Sequence, residues 1–330
     1  MVVRVGAGGR FGLGWTYSSP ATAAVISNHL VGVLSGRSPL DTNACWSAMH
    51  RACRNMGTKG LAAQAISAVD IALWDLKARL LEIPVSQLLG TVRDEVPIYG
   101  SGGFVSLGDH GGLAEQVGLW QSAGCPAMKI KIGEGRGSRI ARDLARVDRL
   151  RELADADVEL MVDANGGYTR GQARRVGAEL GARGVVWSEE PVTSDDLSGL
   201  AVVRDAVHCD VAAGECVYDQ YDAAALVDVV DCLQLDVTRC GGYTGFLRGA
   251  ALATSRGLQV SAHCAPALSA PVAAAIPNLR HVEWFIDHAR LEPILAEGIP
   301  EIYHGAMRVR QDEAGHGMTI GVDAADYRLA

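Results

Sequence analysis

The chain has 330 residues, of which 48% are hydrophobic, 21% charged and 5% aromatic, and its formal net charge is -8. Composition excludes a disordered, collagenous or coiled-coil protein, and a chain of this length buries about three quarters of its unfolded surface. The acidic balance argues against nucleic acid or an anionic membrane as partner. No apolar run approaches the ~20 residues of a membrane span, and the opening MVVRVGAGGR lacks the apolar stretch of a secretory signal. The expectation is a cytoplasmic globular enzyme, with its eight scattered cysteines reduced and mostly serving as small core residues.

In chain order, Val2, Val3 and Val5 alternate as a strand, turn at Gly8-Gly9 and return through Phe11–Trp15, which predicts a β-hairpin. The glycines are not a dinucleotide fingerprint, because Phe11 stands where the third glycine belongs. Ile66, Val69, Leu73, Leu76 and Leu80 recur at helical spacing and predict a long amphipathic helix that stops before Pro84. From about residue 96 short apolar runs alternate with amphipathic stretches. The runs are 96–102, 127–133, 159–165, 185–191, 211–215, 232–239, 259–263 and 281–285. Such alternation implies parallel strands joined by helices, and eight units fit a closed β/α barrel better than an open sheet. The expected division is a cap at 1–95, a barrel at 96–299 and a strand-and-turn tail at 300–330 that returns to the cap.

Seven of the eight runs carry an ionisable residue near the carboxyl end, where a β/α barrel places its active site. These are Lys129 and Lys131, Asp163 (with Asn165 close behind), Glu189, Glu215, Asp236, His263 and Glu283. Asp163, Glu189 and Glu215 are spaced by 26 and again by 26 residues, which puts three carboxylates on adjacent strands. Like charges so close need a cation, and an all-oxygen set suits Mg²⁺. Glu190 competes with Glu189, but successive strand residues face opposite ways and the equal spacing favours Glu189. Lys131 and His263 lie on opposite sides of the carboxylates and are placed to act as bases from two faces of a substrate. Lys129, a like charge beside Lys131, is expected to lower its pKa. Asp236 is expected to orient His263, and Glu283, if protonated, to donate to a substrate carboxylate. Asn165 is a further candidate for substrate contact. The other histidines, among them His281, His288 and His316, have no such context. Chemically this set suits removal of a proton α to a carboxylate through an enediolate.

The segments AISAVDIALWDLK, KIKIG, VDANGGY, SEEP, AAGE, LDVTRCGG, SAHCAP and HVEWF resemble, in this order, the mandelate racemase/muconate lactonizing enzyme family of the enolase superfamily. The resemblance covers nearly the whole chain. It implies an α/β fold, a (β/α)7β TIM-like barrel with an α+β capping domain built from the N-terminal region and the C-terminal tail. It also implies one Mg²⁺ per subunit on Asp163, Glu189 and Glu215, and Lys131 as catalytic lysine with Lys129 as its helper. Asp236–His263 matches the family's dyad, and Glu283 its substrate-carboxylate acid. No lysine follows Lys131, as in the mandelate racemase-like branch. That branch implies an acid-sugar dehydratase, or alternatively a 2-hydroxy-acid racemase or epimerase, with a small carboxylate substrate and a homo-oligomeric state. Family members carry a further strand and mobile loop ahead of the hairpin, so the expectation is either a sequence truncated or miscalled at its start or a reduced cap, the latter with the alternative of a catalytically impaired homologue acting as a binding protein. A metal-dependent aldolase is disfavoured, because Lys131 beside three carboxylates requires no Schiff base.

Overall fold

The computed structural model describes residues 1–104, 112–322 and 324. The predicted hairpin is β1 (Val2–Ala7) paired antiparallel with β2 (Arg10–Trp15). It lies on the predicted helix, Leu61–Leu80, whose Ile66, Val69, Leu73 and Leu76 are buried. The contact runs backbone to backbone. A Cβ on Gly12 would come within 2.1 Å of the Ala72 carbonyl, and one on Gly14 within 2.3 Å of the Ala68 carbonyl. The two glycines alternate with Leu13 and Trp15, which are buried in the main core on the other face of the strand.

The eight predicted runs form β3 (Glu95–Gly102), β4 (Ala127–Lys131), β5 (Glu159–Asp163), β6 (Val185–Glu189), β7 (Asp210–Ala213), β8 (Cys232–Leu235), β9 (Gln259–Ala262) and β10 (Leu279–Phe285). They pair parallel in sequence order, and β10 pairs with β3 to close the barrel. Helices such as Ile140–Leu153, Arg170–Ala182 and Gly242–Thr254 make the crossovers. Outward residues (Ile98, Ile130, Val162, Val211) pack beneath these helices, while Tyr99, Ala127, Met161, Trp187, Ala212 and Cys232 form a separate inner cluster. No helix among the described residues is long and apolar enough to cross a membrane.

The tail divides its contacts. Residues Ala306–Arg308 pair antiparallel with the start of β3, at the floor of the barrel. Residues beyond them reach the cap: the His316 amide donates to Asp75 at 2.8 Å and its Nε2 to the Leu13 carbonyl at 2.8 Å. The buried Asp70 carboxylate joins cap to barrel by accepting from the Thr244 amide at 2.9 Å and hydroxyl at 2.7 Å.

A methyl group at Gly12 has only helix backbone to displace, so Gly12→Ala is expected to cost about 2–3 kcal/mol. Denaturant unfolding checks this, and a loss below about 0.5 kcal/mol would contradict the close approach.

Candidate active site

Alternate residues of each barrel strand point inward, and their carboxyl ends surround the mouth. Lys129 and Lys131, two apart on β4, therefore stack one above the other. The deeper Lys129 is fully buried. Its Nζ donates to Glu189 Oε2 at 2.5 Å and to the Tyr99 hydroxyl at 3.1 Å, and it pairs with Glu283 Oε1 at 2.8 Å. Lys131 is at the mouth and pairs with Asp163. Register sets Lys131 opposite Asp163 and Asp163 opposite Glu189. Glu215 lies two residues past the end of β7, and ligand atoms of Glu189, Glu215 and His263 come within 4.8 Å of one another.

His263 follows β9 and donates through Nδ1 to Asp236 Oδ2 at 2.9 Å, while its Nε2 faces Glu215 Oε2 at 3.3 Å. Asp236 is itself fixed by the Thr238 amide and hydroxyl, each at 2.7 Å, and by Arg239 at 3.3 Å. Arg239 also reaches Glu215 Oε1 at 3.2 Å, so one guanidinium ties the dyad to the carboxylate cluster. Asn165 takes a left-handed conformation (φ 42°), donates its amide to Asp163 Oδ1 at 2.7 Å and lines the mouth. All nine sequence-derived candidates thus converge on one end of the barrel.

The carboxylates suit a hard cation. Glu189 Oε2 takes hydrogen bonds from Lys129 at 2.5 Å, Gln234 at 2.9 Å and Trp187 at 3.3 Å, while the buried Oε1 has no donor. Burial, then Asp163, pushes the Glu189 carboxyl up to about 8. A divalent ion bound among these oxygens would reverse that shift. Glu215 is held below the usual range, because His263, Lys131 and Arg239 outweigh its burial.

One expectation needs correction. Glu190 does not turn away: β6 ends at Glu189, Glu190 adopts φ 37°, and its buried side chain stays beside the cluster. Burial, then Glu215 and Asp163, raises Glu190 to about 7. Strand alternation fails there because the strand has already ended. Burial lowers the Lys131 pKa, and so, as expected, does Lys129, but the Asp163 carboxylate outweighs both and the net shift is upward. Glu283 is expected to donate only when protonated, and beside these cations it is ionised. Burial would raise it, yet Lys129, His263 and Lys131 hold it well below the ordinary range. It accepts from Ser101 Oγ at 2.6 Å and from the Cys264 amide at 3.0 Å.

Sequence reasoning missed several neighbours. Ser101 ends the one run credited with no polar group, and Tyr99 and Gln234 lie two residues inside strand-end positions, so the two-residue period could have found all three. His281 is buried against Ser261 Oγ at 2.9 Å in the barrel interior. His288 lines the mouth, accepts the Ala265 amide at 2.7 Å and stacks on Tyr17 of the cap with ring centroids 3.7 Å apart. Its packing is long-range, and no local pattern announces it. Cys264 also reaches the mouth, but burial, then Glu283, raises its thiol to about 12 and keeps it protonated.

Burial alone would lower the His263 pKa, but the Glu215 and Glu283 carboxylates and the Asp236 hydrogen bond hold it well above 6.5. A raised folded-state value gives stability that is full below pH ~6.5 and is lost as pH rises through the folded pKa. NMR titration of metal-free protein is therefore expected to show a His263 midpoint above 6.5, and Asp236→Asn to lower that midpoint. A midpoint at or below 6.5 in the unsubstituted protein would refute the assignment.

Comparison with known proteins agrees with this geometry. The family model described as mandelate racemase/muconate lactonizing enzyme, N-terminal domain, matches residues 1–90, and that described as enolase C-terminal domain-like matches 112–324. A crystal structure of a mandelate racemase/muconate lactonizing enzyme-like protein from Rubrobacter xylanophilus is 42% identical, covering 100% of this chain and 91% of that one, with a TM-score of 0.95. L-talarate/galactarate dehydratase of Salmonella typhimurium is 32% identical over 95% of this chain and 78% of its own length. L-talarate dehydratase from Polaromonas sp. JS666, crystallised with Mg and L-glucarate, is 33% identical over 98% of this chain and 90% of that one, with a TM-score of 0.87.

Proposed function

The chain belongs to the mandelate racemase/muconate lactonizing enzyme family of the enolase superfamily, and we propose that it is a Mg²⁺-dependent dehydratase of sugar acids. The observation that carries this reading is the placement of Lys131 and the Asp236–His263 pair on opposite sides of the Asp163–Glu189–Glu215 cluster. Relatives with dehydratase activity, one of them crystallised with Mg, support it.

In this reading Asp163, Glu189 and Glu215 hold the metal, and the donorless Glu189 Oε1 is the atom that most needs it. A Mg²⁺ held there would offset the three carboxylates and make the C–H beside the substrate carboxylate more acidic. Burial and Lys129 both favour the neutral amine of Lys131. Lys131 accepts the α-proton at Nζ. His263 acts from the other side as an acid, delivering its Nε2 proton to the departing β-hydroxyl, while Asp236 holds Nδ1. Glu283, held by Lys129, Ser101 and the Cys264 amide, is assigned to the substrate carboxylate, to which it donates when protonated. Asn165 is assigned to the substrate side of the mouth.

Proton NMR in D₂O with Mg²⁺ and a panel of sugar acids tests the reading. Loss of an α-proton signal together with a keto-deoxy product, both abolished by EDTA, is expected. Exchange without a new carbon skeleton would instead identify a racemase or epimerase. His263→Asn is expected to lower kcat about 10³-fold with Mg²⁺ binding retained; unchanged turnover would remove His263 from the mechanism.

A further inference from the structure

The mouth of the barrel opens into a cavity of about 490 Å³ whose lining includes Lys131, Arg136, Glu215, Arg239 and His263. Most of these charges are already claimed. Lys131 pairs with Asp163, Arg239 with Glu215 and Asp236, and His263 with Asp236 and Glu215. Arg136 is different: it is exposed in the mouth and has no carboxylate partner among the described residues.

Its backbone is set with unusual care. Arg136 sits at φ 55°, ψ 49°, between Gly135 at φ 59° and Gly137 at φ 75°. A left-handed arginine costs on the order of 1 kcal/mol and persists only where its surroundings over-determine it. Those surroundings are visible. The Gly133 amide donates to the Tyr168 hydroxyl at 3.1 Å and the Glu134 amide to Asp143 at 3.1 Å. Tyr168 donates to Asp143 at 2.7 Å, and Gln172 donates to the Gly137 carbonyl at 3.0 Å. The turn is clamped at both ends, and what it presents to the cavity is a guanidinium with no carboxylate partner among the described residues.

We infer that Arg136 is a specificity-determining residue that receives a second carboxylate, so that the preferred substrate is a sugar diacid (an aldarate) and not a sugar monoacid. This rests on the sugar-acid reading above and names its substrate class. One carboxylate of the diacid lies at the Lys131 end of the cavity, where the α-proton is removed. The other, at the far carbon, pairs with Arg136, whose planar fork matches a carboxylate in a way a lysine does not. A monoacid offers only a hydroxyl there and leaves the guanidinium without an anion.

The test uses aldarates and aldonates of matched configuration with the Mg²⁺-loaded protein. Calorimetry measures binding, and NMR in D₂O measures α-proton exchange. The unsubstituted protein is expected to bind the diacid about 10- to 100-fold more tightly than its monoacid counterpart. Arg136→Gln is expected to erase that preference, the diacid losing about 10- to 100-fold more affinity than the monoacid with the melting temperature preserved, and Arg136→Lys to restore part of it. Absence of the preference, its survival in Arg136→Gln, or an equal loss for both acids would each overturn the assignment. In those cases exchange with either acid leaves the sugar-acid reading standing. Neither binding nor exchange with any acid in the panel would overturn both.

Discussion

Six carboxylates and four cationic side chains crowd the carboxyl end of one barrel, and every carboxylate but Glu190 faces a partner of opposite charge among the described residues. Isolated, each would be prohibitive to bury. Here Lys129 answers Glu189 and Glu283, Lys131 answers Asp163, and Arg239 answers both Asp236 and Glu215. Such a set depends on position more than on strength. Removing one member would strand its partner, a larger penalty than the lost attraction. The parallel barrel supplies the positions, because its two-residue period and fixed register decide which side chains share a level.

That architecture explains why so much was readable beforehand. Strand ends in a β/α barrel are where chemistry collects, so ionisable residues at the ends of successive apolar runs mark both the fold and the site. The 26-residue spacing of Asp163, Glu189 and Glu215 reflects one strand-helix unit repeated, and in the structure Asp163 and Glu189 are register partners. The long helix was legible from its 3–4 spacing, and the hairpin from its alternation and paired glycines.

What was not legible depends on where periodicity stops or on contacts between distant parts of the chain. Glu190 escapes the alternation rule one residue after β6 ends, in a left-handed conformation that no sequence pattern signals. The charge states of Lys131 and Glu283 are set by groups on other strands, namely Asp163 for the first and Lys129, His263 and Lys131 for the second. Neighbour-by-neighbour reasoning along β4 weighed Lys129 against Lys131 and could not weigh Asp163 at the same time. His288 and Tyr17 meet only because the cap lies over the barrel mouth, which makes their stack a property of the assembled fold.

The Asp75 carboxylate gives the cap a property of a different kind. One of its oxygens takes the Leu13 amide at 2.8 Å, and the other takes the His316 amide at 2.8 Å. An early strand and a late turn therefore share a single side chain on the long helix, with Arg79 bracing it at 2.9 Å. Lifting the hairpin leaves one carboxylate oxygen short of a donor, and so does releasing the tail. The two events are thermodynamically linked, and the amides of Leu13 and His316 should exchange with solvent through one common opening. A region assembled from opposite ends of the chain thereby behaves as one cooperative folding unit.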